Sequence, residues 1–174
     1  MPYLTTEGLV LKKAFATDPF QPSSDSLAAG ALETKKIPID LPTTTYQALY
    51  RVVLGPVSPG DVLDVTAAAR VTNDAGYVVG VGWHLWLYDY SNPARSAGPW
   101  RRISALDGQN CPPDTHHLSI KAACLYPMPD DWPTGHRPVV VLRADAHSTA
   151  WQPGDTLTAD AGYGQLIVRH WAPP

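Results

Sequence analysis

From residue 37 onward apolar and polar side chains alternate with a period of two, as they do in strands whose faces meet different surroundings. Tyr46, Ala48, Tyr50, Val52 and Leu54 alternate with Gln47, Leu49, Arg51 and Val53. Pro56, Pro59 and Gly60 end that run, because proline offers no amide proton to a ladder and glycine permits the turn. In the next run Leu63, Val65, Ala67, Ala69 and Val71 share one face, opposite Asp64, Thr66 and Arg70. After turn chemistry at residues 72–76, Tyr77, Val79, Val81, Trp83, Leu85 and Leu87 line one face of a long strand. Its other face holds Gly80, Gly82, His84, Trp86 and Tyr88. The two strands read as a hairpin.

Residues 91–99 and 107–115 read as loops, with a short edge strand between them at 100–104. Leu118, Ile120, Ala122, Cys124 and Tyr126 then alternate with Ser119, Lys121 and Ala123. Pro127, Pro129 and Pro133 make residues 127–135 a rigid crossing loop. Val139 to Ala144 is apolar on both faces except for Arg143, so it reads as a strand buried on both sides. A final unit starts at Gly154-Asp155, turns near Gly162 to Gly164 and ends on Leu166, Val168 and His170. About eight strands with turns between them, and no amphipathic helix, predict an all-β antiparallel sandwich or barrel over residues 37–174.

The first 36 residues are different. A short apolar patch around Leu9 and Leu11 is followed by a Pro- and Ser-rich run, Asp18-Pro19-Phe20-Gln21-Pro22-Ser23-Ser24. Such a segment cannot form a core of its own. It reads either as a frayed terminus or as an extended N-terminal arm that lies on a neighbouring subunit. Both phenylalanines of the protein fall here, which favours the arm, with Leu9, Leu11, Phe15 and Phe20 as its apolar anchors.

Composition sharpens these readings. Gly and Pro supply 31 of 174 residues (13 and 18), and only two glutamates occur, Glu7 and Glu33. Residues that populate exposed helix faces are thus scarce. The formal charge is −3, from 13 basic and 16 acidic side chains. That balance argues against nucleic acid as a partner. No apolar run is long enough for a membrane span, and the N-terminus lacks the pattern of a signal peptide. Cys111 and Cys124 are able to bridge a loop but read as free thiols.

The sequence carries no familiar catalytic or metal-binding motif. His116 and His117 are adjacent, so on a strand they point to opposite faces. Both glutamates lie in the arm, which removes the carboxylate ligand of a cupin-type metal site. There is no Gly-x-Ser-x-Gly elbow and no phosphate-binding glycine loop. Asp130 and Asp131 read as turn residues, and Arg143 with Asp145 as a structural ion pair. The expectation is a non-enzyme without cofactor. Six tryptophans are many for this length. Trp83 belongs to the core by its alternation. Trp100, Trp132 and Trp151 fall in or beside loops, where they either cap the sandwich or present rings to a glycan or protein partner.

Ser58-Pro59-Gly60-Asp61-Val62-Leu63 introduces one strand, and Gln152-Pro153-Gly154-Asp155-Thr156-Leu157 another. The second is followed by Tyr163-Gly164-Gln165-Leu166-Ile167-Val168 close to the C-terminus. This resembles the jelly-roll modules of the C1q and tumour-necrosis-factor type, in which a Gly-Asp-x-Leu strand precedes a terminal aromatic-Gly-apolar strand. The strands of residues 37–171 follow the pattern, with Tyr and Trp in place of the families' Phe and without a collagen stalk. The resemblance implies a jelly-roll sandwich that assembles as a homotrimer, its terminal strand inside a sheet. Tyr163, Leu166, Val168 and Trp171 would then line the trimer axis or, alternatively, fill the monomer's core. Similar jelly rolls decorate bacteriophage particles. The expectation is therefore a virion protein, a capsid decoration or tail-associated subunit whose arm ties into the major capsid protein or another neighbour. The alternative is a carbohydrate-binding module that uses the loop tryptophans.

Overall fold

The computed structural model describes residues 34–40, 46–92 and 101–172, together with the backbone of residues 10–16. Eleven strands occur among them: β1 (Val10–Ala16), β2 (Lys35–Pro38), β3 (Gln47–Val53), β4 (Val62–Asn73), β5 (Val79–Asp89), β6 (Arg101–Arg102), β7 (Asp107–Cys111), β8 (Thr115–Pro127), β9 (Pro138–His147), β10 (Thr156–Ala159) and β11 (Gln165–Ala172). Sheet A runs β1-β11-β4-β10-β2, with β8 along the far edge of β4. Sheet B runs β3-β9-β5-β6, with β7 also on β5. All the strand pairs are antiparallel. Joining β1 with β2, β6 with β7 and β10 with β11 reduces the eleven to eight. Their order becomes 1-8-3-6 in one sheet and 2-7-4-5 in the other, the connectivity of a jelly roll.

The two inner faces interdigitate in one core. Leu63, Val65, Ala67, Ala69 and Val71 of β4 meet Val79, Val81, Trp83, Leu85 and Leu87 of β5 across it. These strands therefore do not form the expected hairpin. Both have an apolar face too long to leave beside a polar one, so the chain crosses from sheet A to sheet B at residues 74–78 and the two faces close on each other. Asn73 holds the crossing. Fully buried, its Nδ2 donates to the carbonyls of Tyr77, Cys111 and Pro112 at 2.9, 3.0 and 2.9 Å. Its Oδ1 accepts from the Ala75 amide at 3.0 Å. One side chain thus ties the end of β4 to the crossing and to the β7–β8 connection.

The two Pro-Gly-Asp sequences form matching turns at opposite ends of the sandwich. Gly60 and Gly154 have φ of 82° and 95°, a region open to glycine at no steric cost. In each turn the following aspartate reaches back to an amide, Asp61 to Ser58 at 3.0 Å and Asp155 to Gln152 at 2.8 Å. Each carboxylate also takes a long-range donor. Asp61 pairs with His170 Nε2 at 2.5 Å in a site almost closed to solvent, and Asp155 accepts from the Tyr77 hydroxyl. Loops are thereby fastened to strands far away in sequence.

Further differences from the sequence reading have local causes. Residues 107–111, expected as loop, form β7, whose Asp-Gly-Gln-Asn-Cys sequence carries no apolar alternation because it pairs only with β5 and is exposed up to Cys111. His116 and His117 do not face opposite ways. A φ of 72° at His117 kinks β8, and the two rings lie 5.9 Å apart. Cys111 and Cys124 are free thiols, and burial pushes that of Cys124 up to about 11. Residues 10–16, inside the expected arm, form β1 on the outer edge of β11, and Lys35 and Lys36 already belong to β2.

Replacing Asn73 by Ala strands buried carbonyls and is expected to lower stability by about 3 kcal/mol in urea unfolding. The exposed neighbour Asp74→Ala is expected to stay within about 0.5 kcal/mol. Equal losses at the two positions would contradict the role given to Asn73.

Candidate functional site

The outer face of sheet B is where polar groups converge. Side chains from even positions of β5 and odd positions of β9 share it, because residues two apart on a strand face the same way. Three zones follow one another down the sheet. At the β4–β5 crossing end, Gly80 lies opposite His147 and Gly82 opposite Asp145. In the middle, His84 lies opposite Arg143. Toward the other end, Tyr88, Val139 and Val141 form a small buried apolar cluster with Ala48, Val53 and Tyr90 packed against it.

The glycines explain the first zone. A Cβ on Gly80 would fall 2.3 Å from His147 Nε2, and one on Gly82 would fall 2.4 Å from Asp145 Oδ1. The imidazole and the carboxylate therefore lean across β5 through space that only glycine leaves empty. On the other side of β5, Asn110 of β7 lies opposite Gly80, and Gly108 opposite Gly82. The result is an open cleft of about 690 Å³ lined by Tyr46, Leu106, Asn110, Asp145 and His147 over a glycine floor. Asp145 Oδ1 is buried against the Gly82 backbone. Burial holds the Asp145 carboxyl above the usual carboxylate range, against the opposing pull of His147.

In the middle zone His84 is only 2% exposed, and neither ring nitrogen has a hydrogen-bond partner. Its ring meets Tyr46 edge-on at 4.2 Å and lies 5.3 Å from Trp86. Burial, with Arg143 and Arg102 nearby, pushes the imidazole down to about 4. Arg143 sends Nη2 to the Tyr46 carbonyl at 2.9 Å and stands over the Trp86 ring at 5.4 Å. This environment rejects a second positive charge, so His84 is neutral at physiological pH.

The residues singled out from sequence are dispersed. Leu9, Phe20 and Trp100 lie outside the described residues. Leu11 and Phe15 stand in β1, opposite Trp171 and Val168 of β11. Two of the arm anchors and two of the candidate interface positions thus share one ladder. β11 sits inside sheet A, between β1 and β4. The pleat divides the interface candidates: Leu166 and Val168 are fully buried in the monomer's own core, whereas Trp171 alternates onto the outer face. Tyr163 is 58% exposed, with the Arg70 guanidinium 3.3 Å above its ring. Arg70, Thr72 and His117 in turn converge on Asp160 Oδ2. Trp132 is buried and caps the core beside the Arg101–Asp131 ion pair, which removes it from the partner surface, while Trp151 is exposed. Among the described residues no three His, Cys, Asp or Glu side chains meet as a metal site requires. The cleft went unseen in the sequence reading, although Gly80 and Gly82 alternating inside a long strand were its visible sign.

No protein-family model and no curated protein matches the chain, so the C1q and tumour-necrosis-factor resemblance rests on strand order and turn motifs. Solved structures do match. In the T13 particle of infectious bursal disease virus the likeness has a TM-score of 0.50 at 15% identity, over 78% of this chain and 28% of that one. The VP2 subviral particle of that virus gives a TM-score of 0.51 at 10% identity, over 90% of this chain and 32% of that one. The Gt strain particle gives 0.51 at 12% identity, over 90% and 31%. The chain therefore shares its fold with part of these viral chains and spans about a third of their length.

His84 sets a pH test. Its folded value near 4 lies below the ordinary 6.5, so stability is full above pH 6.5. As pH falls from 6.5 toward 4, the unfolded chain takes up a proton that the fold refuses, and about 3 kcal/mol is lost. Urea unfolding across this window is expected to show a shallower slope for His84→Phe than for the wild type. Parallel profiles would refute the assignment.

Proposed function

We propose that the chain is a non-enzymatic structural protein of a virus particle, a trimeric jelly-roll subunit that decorates a bacteriophage capsid or its tail. The observation that carries this reading is the outer face of sheet A. Leu125 is 60% exposed there, in register with Asp64 and, beyond it, Arg169. Ile167 and Trp171 are half-buried on the same face, and Thr66, Ala68 and Ala123 provide a low, small-residue surface between them. Lys121, Gln165 and the Arg169–Asp64 ion pair at 3.3 Å share this face, so it joins apolar area to charged groups, as faces between subunits do. The likeness of fold to capsid structures supports the same reading.

The mechanism is adhesion. The folded module meets its copies and the major capsid protein through side-chain faces, while the N-terminal segment around β1, which itself lies on this chain's β11, ties it to a neighbour. The structure refines how to remove that tie. Deletion of residues 1–16 takes away β1 and leaves β2, with Lys35 and Lys36, in place. Glycan binding through the loop tryptophans remains a weaker reading, since Trp132 caps the core and Trp151 is the exposed one among the described residues.

Native mass spectrometry is expected to give three times the 18.8 kDa chain mass. Leu125→Arg is expected to shift that species to monomer while urea stability stays within about 0.5 kcal/mol, as for other exposed positions. Deleting residues 1–16 is expected to abolish co-sedimentation with particles of the cognate virus. A monomeric wild type, or full attachment without those residues, would overturn the proposal.

A further inference from the structure

The cleft on the outer face of sheet B has the make-up of a site for a small, neutral, polyhydroxylated ligand. Across β9, β5 and β7 it is built from two rows of three residues, His147–Gly80–Asn110 and Asp145–Gly82–Gly108. The middle of each row is glycine, so the floor is low and its centre is crossed only by the side chains leaning in from β9. Gly108 adds a bare position on the β7 side. A Cβ there would stand 3.0 Å from the Val81 carbonyl, so this strand too comes close because it lacks a side chain.

The chemistry around that floor is mixed in a particular way. Asp145 supplies a half-buried carboxyl on the cleft wall, beside the glycine floor. The Asn110 amide both donates and accepts, and it is exposed on the edge strand. His147 is exposed at the open end. Tyr46 and Leu106 supply aromatic and aliphatic surface, and Leu106 is 51% exposed. Vicinal hydroxyls donate to a carboxylate and accept from an amide, while the C–H face of a pyranose ring lies on apolar and aromatic side chains. A free anion would meet Asp145 and Asp107. A metal ion would find no third ligand among the described residues.

We propose that this cleft binds a neutral saccharide of one to three pyranose units, with Asp145 and Asn110 taking its hydroxyls and Tyr46 and Leu106 its apolar face. The volume of about 690 Å³ accommodates a short oligosaccharide rather than a single small ion. The site differs from the loop tryptophans in place and in chemistry. It also stands apart from the virion reading: sugar binding without attachment to particles would leave this proposal intact and sink the other.

Saturation-transfer NMR on the full chain tests it, with glucose, galactose, mannose, N-acetylglucosamine, lactose and maltose as separate probes and sialyllactose as the anionic control. At least one neutral sugar is expected to bind with a dissociation constant on the order of a millimolar or below. Asp145→Asn and Asn110→Ala are each expected to weaken it roughly ten-fold, and Trp151→Ala to leave it unchanged. Asn110 is exposed on an edge strand, so its variant stays informative even if the Asp145 variant unfolds. The proposal fails if no neutral sugar responds or if sialyllactose binds best. It fails equally if binding survives Asn110→Ala or is lost in Trp151→Ala.

Discussion

The crossing between sheets at the end of β4 is the constraint from which the rest of the molecule follows. A strand with five inward apolar residues, followed after a short turn by another with five, has two options. Side by side they would need a second layer to cover them. Face to face they cover each other. The second arrangement requires a turn that strides across the core's end, and such a turn leaves buried carbonyls that must find donors. Asn73 supplies them to two stretches of chain, Tyr77 in the crossing and Cys111–Pro112 between β7 and β8. From there β6 and β7 stay beside β5 in sheet B, β8 returns to sheet A, β9 crosses to sheet B, and β10 and β11 close sheet A, which is the jelly-roll order.

Much of this is written in the period-two pattern of residues 46–88 and in the Pro-Gly-Asp turns, where spacing and turn chemistry act locally. What the pattern does not carry is which sheet a strand joins. Alternation tells which side chains are inward, and it is the same for a hairpin as for a crossing. The β7 segment was illegible for a different reason: an edge strand exposed on both sides needs no apolar residue to hold it. The split of Leu166 and Val168 from Trp171 was legible from parity alone, since even and odd positions of one strand cannot share a face. Trp132 could not be placed by such an argument, because burial of a loop ring depends on where the strand ends converge.

The two outer faces have diverged. That of sheet A is shallow and mixed, with Leu125, Ile167 and Trp171 set among Asp64, Lys121 and Arg169. That of sheet B grades from a polar, glycine-floored hollow through an arginine–aromatic stack to a buried valine pair. The gradient has a physical origin in β9, where Val139 and Val141 give way to Arg143, Asp145 and His147 along one face. A single strand thus holds the molecule together at one end and presents chemistry at the other. The apolar and polar parts of that face are separated by the two-residue step from Val141 to Arg143.

The outer edge of β8 has one more consequence. Residues 119 and 121 are two apart, so both turn a carbonyl away from β4. Gln109 Nε2 donates to that of Ser119 at 3.1 Å, and Trp83 Nε1 to that of Lys121 at 2.7 Å. These are the acceptors that a strand from another molecule would use to extend the sheet. With them already engaged from within, and β1 lying along β11, growth by sheet addition is discouraged, and with it fibre growth by strand addition along this edge.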